Sequence, residues 1–212
     1  MGAATPGSVL SFITPKSISR IRRQLIERVN KMETFISILR GINVSGQNKI
    51  QMTDLKALYE ALKFKDITTY IQSGNVIFKS TSASDQKLAK KIEDAIYERY
   101  GFTVPVIIRT VDEMEHAISV NPFLKQSKVD VERLHITFLA EIPEPKNMES
   151  VRNVDYSPDK FIIIDKEVYL YCPNGYGITK LSNNFFEQKL KVKATTRNWK
   201  TVNKLFEMAT TT

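Results

Sequence analysis

Hydrophobic and polar positions along this chain recur at two periods, and the switches between them mark out the elements. Phe35 to Leu39 is an apolar run of strand length, and from Thr53 onward Leu55, Leu58, Tyr59 and Leu62 return at helical spacing. Ile67 to Gln72 and Asn75 to Lys79 read as strands joined by a tight turn at Ser73-Gly74. Ser84 or Asp85 caps a second helix with Leu88, Ile92, Ala95 and Ile96 inward, ending near Gly101, and Val104 to Arg109 closes the unit. The order β-α-β-β-α-β predicts a ferredoxin-like subdomain over residues 32–111.

Thr110 and Glu113 have the spacing of a capping box, which starts a short helix carrying Met114, Ala117 and Ile118 and ending before Asn121-Pro122. This helix and the linker after it occupy residues 112–131. Strands are then expected at Leu134 to Ala140, Phe161 to Asp165 and Val168 to Cys172, with a short helix near Met148 to Val151. Helices near Leu181 to Leu190 and Trp199 to Met208 follow, separated by a strand around Val192 to Thr195. The fold class is therefore α+β with two subdomains. The second, residues 132–209, is a related α+β unit, and residues 210–212 are a tail. A duplication fits the element order, although no residue-level repeat stands out.

Charge changes this picture only at one end. The net charge is +8, but residues 1–31 hold six cations against Glu27 alone, a balance of +5 that leaves +3 for the rest. The basic character is thus largely a property of the leader, and the body lacks the footprint of a strongly basic nucleic-acid binder. The leader starts with small residues and Pro6 and continues as a basic amphipathic stretch around Ile18, Ile21, Leu25 and Val29. It reads as an upstream start with Met32 the functional beginning, as a targeting or flexible arm, or as an appended remnant. No apolar run reaches the roughly 20 residues of a spanning helix, so no membrane partner is expected. One cysteine, Cys172, and two histidines, His116 and His135, give no disulfide framework and no recognisable metal-ligand set.

Candidate chemistry gathers in four polar loops. The first, Arg40 to Ile50, has Gly41 and Gly46 at the G-x-x-x-x-G spacing of a phosphate loop, but Gln47-Asn48 stands where Lys-Ser/Thr is required and Lys49 comes two residues late. Its backbone amides, with Arg40, Asn43 and Lys49, still make an anion-binding concavity a candidate beside the plainer reading of a surface turn. The second, Gln72-Ser73-Gly74-Asn75, reads as hairpin chemistry, and Ser73 lacks the flanks of a nucleophile elbow. The third, Asn174 to Lys180, runs from strand to helix, so Tyr176, Thr179 and Lys180 stand either at an anion site or at a simple helix cap. In the fourth, Thr195 to Trp199, the indole belongs to an apolar stripe while Arg197 and Asn198 face the helix start. Cys172 and His135 form a Cys/His pair only if the fold brings them together. His116 reads as solvent-facing, and Asp54, Asp66 and Asp85 as caps or turn residues rather than an acid/base pair.

The same four loops resemble a bacterial family, the domain of unknown function 1697 family. The matching stretches are Leu39-Arg40-Gly41-Ile42-Asn43-Val44 with Asn48-Lys49-Ile50, Tyr70 to Val76, Asn174-Gly175-Tyr176-Gly177 with Thr179-Lys180-Leu181, and Ala194 to Trp199. They are spread over nearly everything from Met32 to Ala209 and leave the leader outside. The resemblance implies a two-part α+β protein of the bacterial cytoplasm and carries no established reaction or cofactor. The expected function is binding of a small anionic or phosphorylated ligand by Arg40, Lys49, Lys180 and Arg197 with the loop amides, as an enzyme or as a binding protein. The alternatives are RNA or single-stranded nucleic-acid binding, with Phe35 and Phe78 as platform aromatics, and a non-catalytic protein-interaction module. Nucleic acid is the less favoured partner. Neither catalytic residues nor oligomeric state follow from the sequence.

Overall fold

Strand β1 (Glu33–Leu39) begins a sheet built by β2 (Lys65–Tyr70), β3 (Asn75–Ser80) and β4 (Val106–Thr110), in the order β2-β3-β1-β4, every neighbour antiparallel. This computed structural model describes residues 32–44, 46–81, 84–152 and 155–212, and the leader discussed above lies outside them. Helices α1 (Met52–Ala61) and α2 (Asp85–Tyr100) cover one face of the sheet, because Leu55, Leu58, Tyr59, Leu88, Ile92 and Ile96 meet Phe35, Leu39, Val76, Phe78 and Ile108 there. Ser84 caps α2 by accepting from the Lys87 N–H, and Gly101 ends it in a left-handed conformation.

The second sheet repeats the first. Strands β5 (Leu134–Leu139), β6 (Lys160–Ile164), β7 (Glu167–Tyr171) and β8 (Ala194–Asn198) are ordered β6-β7-β5-β8, again antiparallel throughout. Helices α4 (Pro145–Arg152) and α5 (Asn183–Leu190) stand where α1 and α2 stand in the first half. Each unit ends in one more helix, α3 (Val111–Ser119) after β4 and α6 (Trp199–Thr210) after β8. These two helices join a shared core with the uncovered faces of both sheets: Ile36, Ile38, Ile77 and Ile107 from the first, Ile136, Phe138 and Tyr169 from the second, and Met114, Ala117, Val202 and Leu205 from α3 and α6.

Two expectations shift in a way that bears on function. The last strand of the second unit reaches Asn198, beyond the expected Thr195, so Arg197 belongs to a strand rather than to a helix start. The platform role expected for Phe35 and Phe78 is overturned: they are 1% and 0% exposed and stack at 5.8 Å in the core beneath α1 and α2. The opposite sheet face, which a ferredoxin-like RNA binder leaves open, is covered here by α3, α6 and the second sheet.

Candidate functional site

Duplication supplies an internal control for the loops, since whatever both copies share serves the fold. Residues 40–51 join β1 to α1, whereas residues 140–144 make the same connection in the second unit. The β2–β3 turn takes residues 71–74 against 165–166 in its counterpart. The β7–α5 connection, residues 172–182, replaces a short link over residues 81–84. Three of the four polar loops are therefore excursions that the basic unit does without, and excursions on a rigid scaffold are where binding groups concentrate.

The first two excursions lock together through Asn43, whose left-handed conformation (φ 56°) turns its amide inward. Its Nδ2 donates to the carbonyls of Ile50 and Gln72, each at 2.9 Å, and its Oδ1 accepts from the Ile50 N–H. Asn48 Nδ2 ties the loop back to the Gly41 carbonyl. Between the loop, the turn and the start of α1 lies an open cleft of about 820 Å³ lined by Asn43, Gly46, Lys49, Ile50, Gln51 and Met52, and beyond them by Thr53, Asp54, Gln72 and Tyr100. Helix α1 starts at Met52, and Gln51 leaves it without a side-chain cap, whereas Ser84, Thr110, Ser182 and Asn198 cap α2, α3, α5 and α6. Lys49 is exposed at the cleft wall, and Asp54 is an anionic group in the first turn.

Arg197 sits elsewhere, with its donors fully engaged. Its Nε donates to Asn75 Oδ1 at 2.7 Å, Nη2 to the carbonyls of Leu39 (2.7 Å) and Ser73 (2.8 Å), and Nη1 to Thr196 O and Thr195 Oγ1. Burial pushes the guanidinium down to about 10, so it stays charged at neutral pH. Asn75, fully buried, donates in turn to Tyr70 O and Ser73 Oγ. Arg40, expected at an anion site, forms an ion pair with Glu187 and donates to Asn184 Oδ1, both on α5. Arg40, Ser73, Asn75 and Arg197 thus converge, as fasteners between the two units.

The remaining candidates lie in the second unit. Tyr176 stacks on His135 with ring centroids 4.9 Å apart and donates to Thr196 Oγ1, and burial raises its phenol. Thr179 accepts from the Leu181 N–H and donates to Asp159, while Ser182 takes the cap of α5 that was expected of Thr179. Lys180 lines a separate cleft with Asp155, Asp159 and Asn174. Asn198 caps α6 by accepting from the Thr201 N–H. Cys172 is buried at the end of β7, where burial, with Asp159 adding to it, pushes the thiol up to about 11; the same desolvation lowers His135. A buried thiol so raised holds little of the thiolate form that nucleophilic chemistry uses.

Sequence reasoning missed the counterpart of the Arg197 fastener. Arg109 on β4 donates through Nε to Glu167 Oε1 at 2.9 Å and through Nη2 to the carbonyls of Leu139 (2.7 Å) and Lys166 (3.2 Å). Position for position this is the Arg197 arrangement: each arginine directly precedes the residue that caps the last helix of its unit, and each reaches the end of the other unit's first strand and the turn before its third. Lys166 also binds Glu113 and lies 3.9 Å from Asp85. The legible signal was the recurrence of an arginine before a capping residue in Arg109-Thr110 and Arg197-Asn198.

Comparison with known proteins agrees with this architecture. A family model described as a protein of unknown function, DUF1697, matches residues 32–169. The chain belongs to that family. A solved structure, that of the conserved bacterial protein SP0830 from Streptococcus pneumoniae, shares 22% identity and superposes with a TM-score of 0.65 over 84% of this chain and 99% of that one, a likeness of fold. No curated protein matches the chain. Among the described residues of this DUF1697 protein, no helix is long and apolar enough to cross a membrane.

Proposed function

We propose that this protein binds a small anionic, phosphorylated ligand in the cleft between the 40–51 loop, the 71–74 turn and the start of α1. One observation carries the reading: the loop that the duplicated unit does without is braced by Asn43 into one wall of an 820 Å³ cleft that Lys49, Gln72 and the uncapped start of α1 also line. Free N–H groups and the helix dipole favour an anion, Lys49 adds a formal charge, and Met52 and Tyr100 offer apolar surface for the rest of the molecule. The ligand set is narrower than the one expected from sequence. Asn43 acts through its carbonyl partners as a brace, Lys49 and Gln72 face the ligand, and Arg40, Lys180 and Arg197 take no part. A bacterial cytoplasmic setting, implied by the family resemblance, would supply phosphorylated metabolites.

A thermal-shift panel of inorganic phosphate, nucleoside phosphates and sugar phosphates tests the proposal. At least one compound should raise the melting temperature, and Lys49→Ala and Gln72→Ala should remove that rise without lowering the ligand-free transition by more than about 0.5 kcal/mol, as for exposed side chains. A panel that shifts nothing, or a shift that survives both substitutions, overturns it.

A further inference from the structure

The four strands at the sheet edges are protected unequally. Strand β4 is buried, with Val106, Ile107 and Ile108 each 2% exposed and Arg109 1%. Strand β2 carries Lys65 and Asp66, a break in register between Lys65 and Thr68, and an ion pair from Asp66 to Lys79, devices that spoil an edge for pairing. Strand β8 runs directly into α6, and Glu187 takes the N–H of its first residue. Among the described residues strand β6 has the least protection, with Lys160 at its first position and Asp159 and Asp165 just outside it. After Lys160 it reads Phe161-Ile162-Ile163-Ile164, its register with β7 is unbroken, and none of its residues is buried. Ile162 at its centre is 36% exposed.

The ground beside this edge mixes apolar and polar groups. A cleft of about 560 Å³ follows β6, with Phe123 on the inner side and Met148, Val151 and Tyr156 on the outer, and with Gln126, Asp155, Ser157 and Asp159 completing its lining. In an antiparallel ladder every second residue turns its N–H and C=O away from its neighbour, so β6 presents a row of backbone donors and acceptors beside this cleft.

We propose that β6 pairs with β6 of a second copy of this chain, antiparallel about a two-fold axis at Ile162, joining the two β6-edged sheets into one continuous sheet. A strand edge that pairs with itself in this way is self-complementary, as an isologous interface requires. The two-residue turn at Asp165-Lys166 closes the β6–β7 hairpin on Ile164 and Glu167, which leaves Phe161 and Ile163 with their backbone groups outward. Centring on Ile162 then lets Phe161 of one copy exchange both backbone hydrogen bonds with Ile163 of the other. It also sets the two Ile162 side chains directly opposite, in the closer type of antiparallel pair. The cost lies at the ends, where Asp159 falls opposite Asp165 of the other copy and weakens the pairing. The contact is one strand long, so the dimer is expected to form only at high protein concentration.

Sedimentation of the full chain across a concentration series reads this directly. The mass should rise toward twice the monomer value, and Ile162→Lys should stay monomeric over the same range with an unchanged circular dichroism spectrum. Hydrogen exchange at the Phe161 and Ile163 amides should slow with concentration in the parent chain only. A parent that stays monomeric throughout overturns the proposal, as does an Ile162→Lys variant that associates equally. Should Ile162→Lys prove poorly folded, Ile162→Thr serves instead and should weaken association while leaving the melting temperature within a few degrees.

Discussion

Arg197 and Arg109 show how the same residue in equivalent places meets different surroundings. Arg109 has a carboxylate, Glu167, where Arg197 has the amide of Asn75, so Arg197 is held by carbonyls and an amide. Replacing Arg197 with Met strips donors from the Leu39 and Ser73 carbonyls and from Asn75 Oδ1; at about 1 to 3 kcal/mol for each buried group left unpaired, a loss of about 3 kcal/mol or more is expected in urea unfolding. Ligand binding at the Lys49 cleft should survive wherever the variant is folded, which separates fastener from binding residue. From sequence, a strand-end arginine beside Asn198 and Trp199 is as plausible a ligand contact as a structural one. Only its neighbours, Asn75 and the end of β1, decide the matter, and they lie more than 120 positions away.

Elements and their turns were largely legible because each rests on local chemistry. The capping box at Thr110 and Glu113 forms with both of its hydrogen bonds, and the helix-period stripes of α1, α2 and α6 bury as their spacing predicts. Boundaries moved where longer-range pairing took over: β8 extends to Asn198 because β5 supplies partners as far as His135. Gly74 exposes a constraint of the same kind. Its φ of +78° and the 2.6 to 2.9 Å separations that an added Cβ would have from Ile42 and Leu39 leave no room for a side chain. Gly74→Ala should cost about 2 to 4 kcal/mol from left-handed strain and overpacking together, whereas Gly41→Ala, with open space around it, should cost about 1 to 2 from strain alone. Chemical unfolding of the two variants side by side checks the difference.

At the scale of the whole molecule, the two units meet through a shared core, through the Arg40 and Arg197 bonds, through the Lys193–Glu93 pair and through a charged cluster of Asp85, Arg109, Glu113, Lys166 and Glu167. The cluster sets opposing pH dependences. Burial pushes Glu113 up, but hydrogen bonds from Lys166 and the Thr110 N–H, with Arg109 nearby, hold it below the usual carboxylate range. A folded value below the unfolded one contributes stability above about pH 4.5 and loses it as the pH falls through the folded value. Glu167 is held high by burial despite Arg109, and Asp85 by burial and Glu113, so their contributions run the other way and fade as the pH rises through their folded values. Urea midpoints from about pH 3 to pH 7 should therefore show a flatter acid limb for Glu113→Gln and a smaller decline at higher pH for Glu167→Gln.

The sequence alone determined what depends on near neighbours: two α+β units, the caps, the apolar faces, and the family, whose match spans the first two of the polar loops. Tertiary structure decided which of those loops share a place. It drew Arg40, Asn75 and Arg197 into bonds between the units, left Lys49 and Gln72 facing an open cleft, and turned Phe35 and Phe78 into the core. The reason is physical. A guanidinium, an amide or an aromatic ring has the same chemistry as a fastener, a ligand contact or a core residue, and the partner that settles its role is brought up by strand pairing and helix packing across the whole chain.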